Sequence, residues 1–488
     1  MTQNITATLA EFTAATRFEA IDPKIRELTR LLIIDSLGCA VAGHLVGKGT
    51  IPRDYVRRMG GVETASVIGS DLRSPIPLAC LANGELINAL DHDAILAPGH
   101  VSPYVIPPAL AFAESTDASG KDLIAAIAIA HEVGCRVAAS LDGIRRWEDD
   151  SVMRLSPASG YGSTIFGAVA GAASILGFDG KQVANLFGIA GYAAPVPTLT
   201  KFLHAKHSFH AKYTSAGQLA MSAAVSVDLA AAGYHGDETI LDGDFGFWKM
   251  FASQSFSVDF LLGELGTAWR MARNEFKPYP CFRMSHDAIT VLRDLMAEHR
   301  IDPAAITRMR ATADPICLSE CYLSTSLTDH TDAQLSWRRL LATAAFYEPG
   351  PEWQTAALTD ARVLALSERI EIVPATDSKE ALQNLRSEAS FDKAFPAWLK
   401  STLELEVEGK ILRKAAPPIT KGHPANPLTP AEIEAKYLTN TASVLGVSGA
   451  AASLAILKNM EHNTTRDIVK ALMPSSDRSR DDVLEGGV

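Results

Sequence analysis

The sequence predicts a mainly α protein in which a large all-α helical bundle domain carries a smaller inserted α+β domain. Over the first 270 or so residues, one helix-spaced apolar segment follows another, and strand-like alternation is nearly absent. After about Trp269 short runs of alternating polar and apolar residues begin, and helical spacing returns towards the C-terminus. The chain has 488 residues, which is longer than one hydrophobic core usually accommodates, so more than one domain is expected.

The helical half is expected to be a densely packed bundle, because its segments are rich in Ala, Leu and other small residues. Several segments end at a glycine, which is typical of a helix C-terminus. The segments with helical spacing are, in order, TATLAEFTAAT, KIRELTRLLIIDSLGCAVAG, IPPALAFAESTDA, GKDLIAAIAIAHEVGCRVAASL, IFGAVAGAASILGF, GKQVANLFGIAGYAA and SAGQLAMSAAVSVDLAAAG.

The α+β part is predicted from alternating runs that are enriched in β-branched residues, which are typical of strands. We expect strands in ITRMRATAD, RIEIVPATD and LELEVEGKILRKA, and a helix in AQLSWRRLLATAAFY. The next segment, GHPANPLTPAEIEAKY, joins a Pro-rich linker to a helix with a Thr N-cap and an acidic first turn. The predicted division is therefore residues 1–270 and 421–488 for the helical domain, and residues 271–420 for the α+β domain.

Composition excludes some classes of partner. The formal net charge is -11, and no cluster of Lys and Arg offers a phosphate-binding face, so nucleic acid is not expected as a partner. The six cysteines contain no C-x-x-C pair and no zinc spacing, which indicates reduced, structural thiols and no metal site. The first twenty residues lack a basic region followed by a continuous apolar run, so a cytoplasmic location is expected.

Residues 155–178, LSPASGYGSTIFGAVAGAASILGF, carry no charge and are long enough to suggest a transmembrane span. The first third consists of residues such as Ser, Pro, Gly and Tyr, and weakly apolar Ala and Gly dominate the rest. We therefore expect a buried helix with close neighbours here and no membrane span.

The first candidate functional segment is NALDHDAILAPGHVSPYVIPPALAFAE, residues 88–114. Its APGH stretch breaks any helix, which leaves Asp91, Asp93 and His100 on a connection that enters a buried, proline-rich helix. Connections held by rigid helices are common places for catalytic groups. The alternative is that the aspartates cap helices and that the histidine is solvated.

The second segment is KFLHAKHSFHAKYTSAGQ, residues 201–218, which combines lysines and histidines ahead of an apolar helix. Local positive charge in an acidic protein can hold a carboxylate substrate. Crowded cations also lower one another's pKa towards the range that is useful for proton transfer. Lys206 and His210 are the candidates from this segment, and the alternative is a solvated basic loop.

The third segment is RNEFKPYPCFRMSHDA, residues 273–288, where two prolines stiffen a loop at the change from helical to α+β sequence. It offers Arg273, Lys277, Arg283 and His286 at an expected domain boundary, which is a favoured place for small-molecule binding. Arginine is suited to bidentate recognition of carboxylates.

Several catalytic motifs are absent from the sequence. It contains no G-x-G-x-x-G after a strand, no Walker loop, no H-E-x-x-H and no G-x-S-x-G. Dinucleotide, nucleotide, zinc and serine-hydrolase chemistry are therefore disfavoured. Of the reaction types considered, acid/base catalysis by side chains without a cofactor is the one that the sequence still favours.

The three segments, in this order, resemble the MmgE/PrpD family, which includes 2-methylcitrate dehydratase, cis-aconitate decarboxylase and iminodisuccinate epimerase. The resemblance runs through most of the chain. The stretches similar to family motifs are LTRLLIIDSLGCAVAG, NGELINALDHDAILAPGHVSPYVIPPALAFAE, KHSFHAKYTSAGQLA, LDGDFGFWKMF, KPYPCFRMSHDAI and HPANPLTPAEIEAKY.

The resemblance implies a large helical domain with a smaller α+β lid domain, a homodimer, and action without a cofactor on small polycarboxylates. Carried over residue by residue, it places Asp91, His100 and Lys206 in the active site as the catalytic residues. Together with the cations described above, it leads us to expect substrate contacts from Asp93, His210, Lys277, Arg283, His286 and Arg339.

The sequence also departs from the family pattern, which indicates an altered substrate or reaction. A third family aspartate is Ala94 here, and the H-P-S signature reads His100-Val101-Ser102. A family histidine ahead of the Ala-rich helix is missing, and this sequence offers only Ser156, Ser159 or Tyr161 there. A tyrosine of cis-aconitate decarboxylase is matched by Arg339.

We expect a lyase, a dehydratase or hydratase that acts on a small hydroxylated di- or tricarboxylate similar to 2-methylcitrate. His100 and Lys206 would be the acid/base pair, with Asp91 orienting one of them. The enzymatic alternatives are an epimerase of an iminodisuccinate-like acid and a decarboxylase of a cis-aconitate-like acid. The non-enzymatic hypotheses are a polycarboxylate-binding protein that has lost catalysis and a helical scaffold whose basic loop meets an acidic partner.

Overall fold

The computed structural model describes residues 4–143, 145–147, 153–156, 160–375 and 400–474. Ser159, one of the candidates for the missing histidine, lies outside the described residues. The described chain is mostly helical with a small sheet region, as the sequence predicts. The division into domains and the lid arrangement remain predictions.

The first part of the chain is a bundle of helices whose ends follow the local capping signals. Asp22 accepts a hydrogen bond from the Lys24 backbone N–H at 2.8 Å, and Asp179 forms a capping box with Gln182. The helices are α1 Ile5–Ala15, α2 Pro23–Ala42, α3 Gly47–Met59, α4 Ile76–Asn88, α5 Ser102–Thr116, α6 Gly120–Ser140, α7 Ile165–Leu176, α8 Gly180–Tyr192, α9 Leu199–Leu203, α10 Ala216–Ala231, α11 Phe247–Met250 and α12 Val258–Leu262.

Small residues let these helices approach closely, as the composition predicts. A Cβ atom on Gly167 of α7 would lie 2.3 Å from the Ala130 carbonyl oxygen and 2.7 Å from the Gly134 Cα of α6. A Cβ atom on Gly84 of α4 would lie 2.9 Å from the Gly217 backbone of α10. Larger side chains at these positions would force the backbones apart.

Short paired segments accompany the helices. They are β1 Ala65–Ser66 with β2 Arg73–Ser74, β3 Ile95–Leu96 with β4 Gly99–His100, and β5 Arg145–Trp147 with β6 Met153–Leu155. The β3–β4 pair matters most for the candidate site. Ile95 also exchanges two backbone hydrogen bonds of 2.7 Å with Glu275, which brings the first and third candidate segments together.

The sheet region lies where the sequence predicts strands. It has four strands, β7 Ile306–Ala313, β8 Ile370–Pro374, β9 Thr402–Val407 and β10 Lys410–Ala415, in the order β10-β9-β7-β8. Strand β7 runs parallel to β8 and antiparallel to β9. The helices of this region are α13 His286–His299, α14 Glu320–Leu323, α15 His330–Ala333, α16 Trp337–Phe346, α17 Trp353–Thr359 and α18 Ala361–Ser367.

After the sheet the chain returns to helix, in α19 Pro430–Lys458, which is broken by a non-helical backbone at Gly446 (φ 76°, ψ 160°), and in α20 Thr465–Lys470. The predicted Thr429 cap is confirmed, since Thr429 and Glu432 form a capping box. Helix α19 packs against α2 of the first part. A Cβ atom on Gly38 would lie 2.9 Å from the Tyr437 ring, and Lys436 Nζ lies 2.7 Å from Asp35 Oδ1.

The uncharged segment that suggested a membrane span contains the buried helix α7, with bounds Ile165–Leu176. Within the described chain, three other helices are long and apolar enough to cross a membrane by length and composition: Pro23–Leu45, Gly120–Ser140 and Pro430–Lys458. The apolar windows of the first two are 83% and 94% buried inside the protein, and that of the third is 44% buried.

Candidate active site

The candidate site is centred on Asp91, which is buried and lies on the connection between α4 and β3. Its Oδ1 accepts a hydrogen bond from Lys212 Nζ at 2.8 Å, and its Oδ2 accepts one from Lys277 Nζ at 2.8 Å. Lys277 also donates to the Asp91 carbonyl oxygen. Burial alone would raise the pKa of Asp91, but Lys212 and Lys277, with His100, hold it well below its usual range.

His100 forms a second buried pair beside this aspartate. Its Nδ1 lies 2.7 Å from Asp93 Oδ2, and Asp93 Oδ1 accepts a hydrogen bond from Asn88 at 3.2 Å. The Asp93 carboxylate accepts the hydrogen bond from His100 Nδ1, which leaves Nε2 as the ring nitrogen that faces Asp91. This Nε2 lies 3.6 Å from Asp91 Oδ1, which places it next to the two lysines.

Lys212 is held at the site by a network at the start of helix α10. Glu85 of α4 accepts hydrogen bonds from Ser215 Oγ at 2.7 Å and from the Gly217 backbone N–H at 2.9 Å. Lys48 forms a buried ion pair with Glu85 and donates to the His210 carbonyl oxygen at 2.7 Å. The segment before α10 is therefore fixed from two sides. Burial lowers the pKa of Lys212, although Asp91 acts in the opposite direction.

The structure does not bring Lys206 to this cluster. Lys206 is exposed, and in the described part of the chain no ion pair or hydrogen bond joins it to Asp91 or His100. The reason lies in the turn between the two lysines, where the Ser208 backbone N–H donates to Asp332 Oδ1 at 2.8 Å and the chain turns before Lys212. Lys212 thus takes the position that sequence analysis gave to Lys206.

The structure also places His210 away from Asp91. Its side chain is half-buried, and its Nε2 lies 3.2 Å from Asp329 Oδ2 in the segment that precedes α15. Arg339 is half-buried on α16, where its Nη2 donates to the Thr325 carbonyl oxygen at 3.3 Å. Burial lowers the pKa of Arg339. No hydrogen bond or ion pair among the described residues joins either cation to Asp91 or His100.

Arg283 and His286 lie close to the cluster but have protein partners of their own. Arg283 Nε donates to Glu275 Oε2 at 2.7 Å, and its Nη2 donates to Thr420 Oγ1 at 3.3 Å. His286 is fully buried and forms a hydrogen bond of 3.3 Å with the Cys281 carbonyl oxygen. Burial, Arg283 and Lys277 hold the pKa of His286 well below its usual range, so this ring is neutral near pH 7. The Arg283 guanidinium group thus forms an ion pair with the buried Glu275 carboxylate instead of being available to a substrate carboxylate.

The site has an aromatic wall formed by Tyr161, which the sequence offered as a candidate, and Tyr213, which it did not. The Tyr213 ring stacks on the His100 ring with a centroid distance of 5.3 Å, and Tyr161 stacks on the other side of Tyr213 at 4.3 Å. Burial raises the pKa of both phenols, so both stay protonated near neutral pH. Tyr161 lies in the segment where this sequence lacks the family histidine. Its hydroxyl oxygen packs closely against Gly99, since a Cβ atom added there would lie only 1.9 Å from it. The only local signal for Tyr213 was its place directly after Lys212.

The arrangement supports proton transfer by side chains. The His100 imidazole and the Lys212 ammonium group both approach Oδ1 of one buried aspartate, Asp91, beside the protonated phenols of Tyr213 and Tyr161. Among the described residues no group of three or more His, Cys, Asp or Glu side chains is arranged to hold a metal ion.

Two family models match the chain. The model of the MmgE/PrpD N-terminal domain matches residues 7–259, and that of the MmgE/PrpD C-terminal domain matches residues 279–462. No curated protein matches the chain.

Proposed function

The chain belongs to the MmgE/PrpD family, and from that premise we propose that it is a lyase that dehydrates a small hydroxylated di- or tricarboxylate without a cofactor. The observation that carries the proposal is the position of His100 Nε2 and Lys212 Nζ, which approach the same carboxylate oxygen, Asp91 Oδ1, at 3.6 Å and 2.8 Å. Two proton-transferring groups side by side suit an elimination, in which one group removes a proton and another donates one.

In this proposal His100 is the base. The carboxylate of Asp93 fixes the proton on Nδ1, so Nε2 accepts the proton from the carbon next to a substrate carboxylate. Asp93 also stabilises the imidazolium that forms, because it lies 2.7 Å from the ring nitrogen. The C–H bond next to a carboxylate is weakly acidic, so positive charge close to that carboxylate must stabilise the transition state. Lys277 supplies such charge.

Lys212 is the acid. Its ammonium group donates its proton to the departing hydroxyl group, which leaves as water, while the carbon–oxygen bond breaks and the carbon–carbon double bond forms. Burial favours this role, because it lowers the pKa of Lys212 and makes the proton easier to donate than from a solvated lysine. Asp91 holds the ammonium group in place and keeps the lysine largely charged.

The assay that tests this function is proton NMR in deuterated water with citrate, methylcitrate, aconitate, tartrate and aspartate as the panel of acids. Loss of water with appearance of alkene signals is the expected result. Exchange of one C–H for deuterium without loss of water would instead identify the epimerase alternative. Loss of carbon dioxide would identify the decarboxylase alternative. Binding of an acid without any of these changes would leave a non-catalytic binding protein.

We also propose that the protein is a homodimer, as the resemblance implies. Helix α3 presents Ile51, Tyr55 and Met59 at intervals of four residues, with 59%, 39% and 56% of their surface exposed. Such a row is a single apolar stripe on one helix face, which a second copy would cover. Light scattering should give twice the chain mass of 52.2 kDa, and an Ile51→Asp, Met59→Asp variant should give the mass of one chain. The mass of one chain for the unchanged protein would refute the dimer.

A further inference from the structure

The Tyr213 hydroxyl group is buried, and no hydrogen-bond partner for it exists among the described residues. Hydroxyl groups that are removed from water nearly always have a partner, because leaving one unpaired costs free energy. The neighbouring phenol of Tyr104 follows this rule, since its hydroxyl group donates to the Thr214 carbonyl oxygen at 3.2 Å. The buried hydroxyl group of Tyr213 therefore needs a hydrogen-bond partner that the described residues do not supply.

The Tyr213 ring is fixed in place. It stacks between the His100 ring and the Tyr161 ring, and the Phe202 ring meets it edge-on with a centroid distance of 5.8 Å. Rotation of the ring away from the site would break all three contacts. The side chain is therefore preorganised beside the imidazole and directly follows Lys212 in the chain.

The charges around Tyr213 make it a hydrogen-bond donor. Burial raises the pKa of this phenol well above its ordinary value, and the negative charge of Asp91 raises it further. The group is consequently neutral over the whole physiological range and can offer its proton to an oxygen atom. It cannot act as a base there.

We propose that the Tyr213 hydroxyl group donates a hydrogen bond to the hydroxyl oxygen of the substrate, and that it selects hydroxylated polycarboxylates over their deoxy analogues. This inference rests on the proposed function and adds the group that recognises the leaving oxygen. Lys212 protonates that oxygen, and Tyr213 holds it in position without giving up its own proton. Selectivity of this kind arises because an analogue without the hydroxyl group leaves a buried donor unpaired.

The test compares binding of matched acids by isothermal titration calorimetry. Citrate is paired with tricarballylate, and malate with succinate, since each pair differs by a single hydroxyl group. Tyr213→Phe removes only the phenol oxygen and keeps the ring stack. Tyr437→Phe is the control, because Tyr437 is also buried but forms its hydrogen bond with Ser453, at 2.7 Å, across the break in α19 at Gly446.

We expect the unchanged protein to bind one hydroxylated acid about tenfold more tightly than its deoxy partner, which corresponds to one hydrogen bond. The Tyr213→Phe variant should lose most of this preference, because only the contact from Lys212 to the hydroxyl oxygen remains, and Tyr437→Phe should keep the original ratio. In the absence of ligand, Tyr213→Phe should resist urea at least as well as the unchanged protein, whereas Tyr437→Phe should be less resistant.

An unchanged affinity ratio in Tyr213→Phe would overturn the inference and leave the proposed function intact if the NMR assay shows turnover. Destabilisation of Tyr213→Phe to the level of Tyr437→Phe would also overturn it, because the hydroxyl group would then have a partner within the protein. If the unchanged protein binds none of the four acids and converts none of the NMR panel, the proposed function fails and the inference fails with it.

Discussion

Asp91 and Lys212 lie 121 residues apart in the chain, and their side chains form a buried ion pair of 2.8 Å. Both residues have left-handed backbone conformations, with φ angles of 53° and 47°. Such conformations cost roughly 1–3 kcal/mol for residues other than glycine, and they persist where the surrounding structure imposes them. Both ends of this ion pair are therefore held in strained backbone by the helices and hydrogen bonds around them.

The two lysines of the basic segment should differ sharply in their importance. We expect Lys212→Ala to lower turnover by about 10²–10⁴-fold, because the acid is lost. Lys206→Ala should keep nearly the original rate, since Lys206 is exposed and lies outside the cluster. Both variants remove one positive charge from the same segment, so general electrostatic effects are matched. The measurement is the steady-state turnover of each variant with the substrate identified by NMR. An equal loss of turnover in both variants would contradict the proposed roles.

Replacing Asp91 should affect stability as well as activity. Asp91→Asn leaves two buried lysines without their shared counter-charge, and losing one partner of a buried ion pair costs about 3–5 kcal/mol. Urea unfolding at pH 7 measures this loss. The double variant Asp91→Asn, Lys212→Met should recover part of the stability, because it leaves fewer unpaired charges. Full stability in the single variant would show that the pair does not contribute.

The buried ion pair of Asp91 and Lys212 predicts a dependence of folding stability on pH. The pKa of Asp91 is lower in the folded protein than its ordinary value of 3.8, so the folded state favours the ionised carboxylate. Its contribution to stability is therefore complete above pH 3.8 and disappears as the pH falls through the lower, folded-state pKa. Urea unfolding from pH 5 down to about pH 2 should show a smaller decrease below pH 3.8 for Asp91→Asn than for the unchanged protein. Parallel curves for the two proteins would argue against this linkage.

The Asp93–His100 pair predicts a defect in rate without a defect in folding. Asn in place of Asp93 permits the wrong tautomer of His100, with the lone pair on Nδ1, and we expect turnover to fall by about 10²–10⁴-fold. Adding His100→Ala to Asp93→Asn should cost little more, because the two side chains act as one unit. Multiplicative losses in the double variant would mean that Asp93 acts independently of the ring.

The pH profile of activity should report Lys212 on its basic side. An acid must be protonated, so the rate falls as the pH rises through the pKa of Lys212, which burial places below its ordinary value of 10.5. We expect this basic limb in kcat/KM, with a midpoint below 10.5. Lys206→Ala should leave the limb in place. A profile that stays flat up to pH 10.5 would exclude Lys212 as the acid.

Local patterns were sufficient for most of the fold. Apolar periodicity predicted α1, α2, α5, α6, α7, α8 and α10 but not α3 and α4, and alternation predicted β7, β8 and the β9–β10 hairpin. The N-cap predicted at Thr429, ahead of an acidic first turn, is confirmed. These features depend on neighbours within a few residues, because helix caps, turns and amphipathic faces are short-range effects. The segments that carry the candidate site were found in the same way, from unusual local groups of charged residues.

The sequence by itself determined which segments carry the candidate site, and only the tertiary structure decided which side chains within them meet. Lys206 and Lys212 stand six residues apart in one basic loop, and nothing local distinguishes them, yet only Lys212 pairs with Asp91. His210 looked available for a carboxylate substrate until folding brought Asp329, from a distant segment, next to it. The physical reason is that burial and charge pairing depend on contacts between distant parts of the chain, and these exist only once the helices have packed.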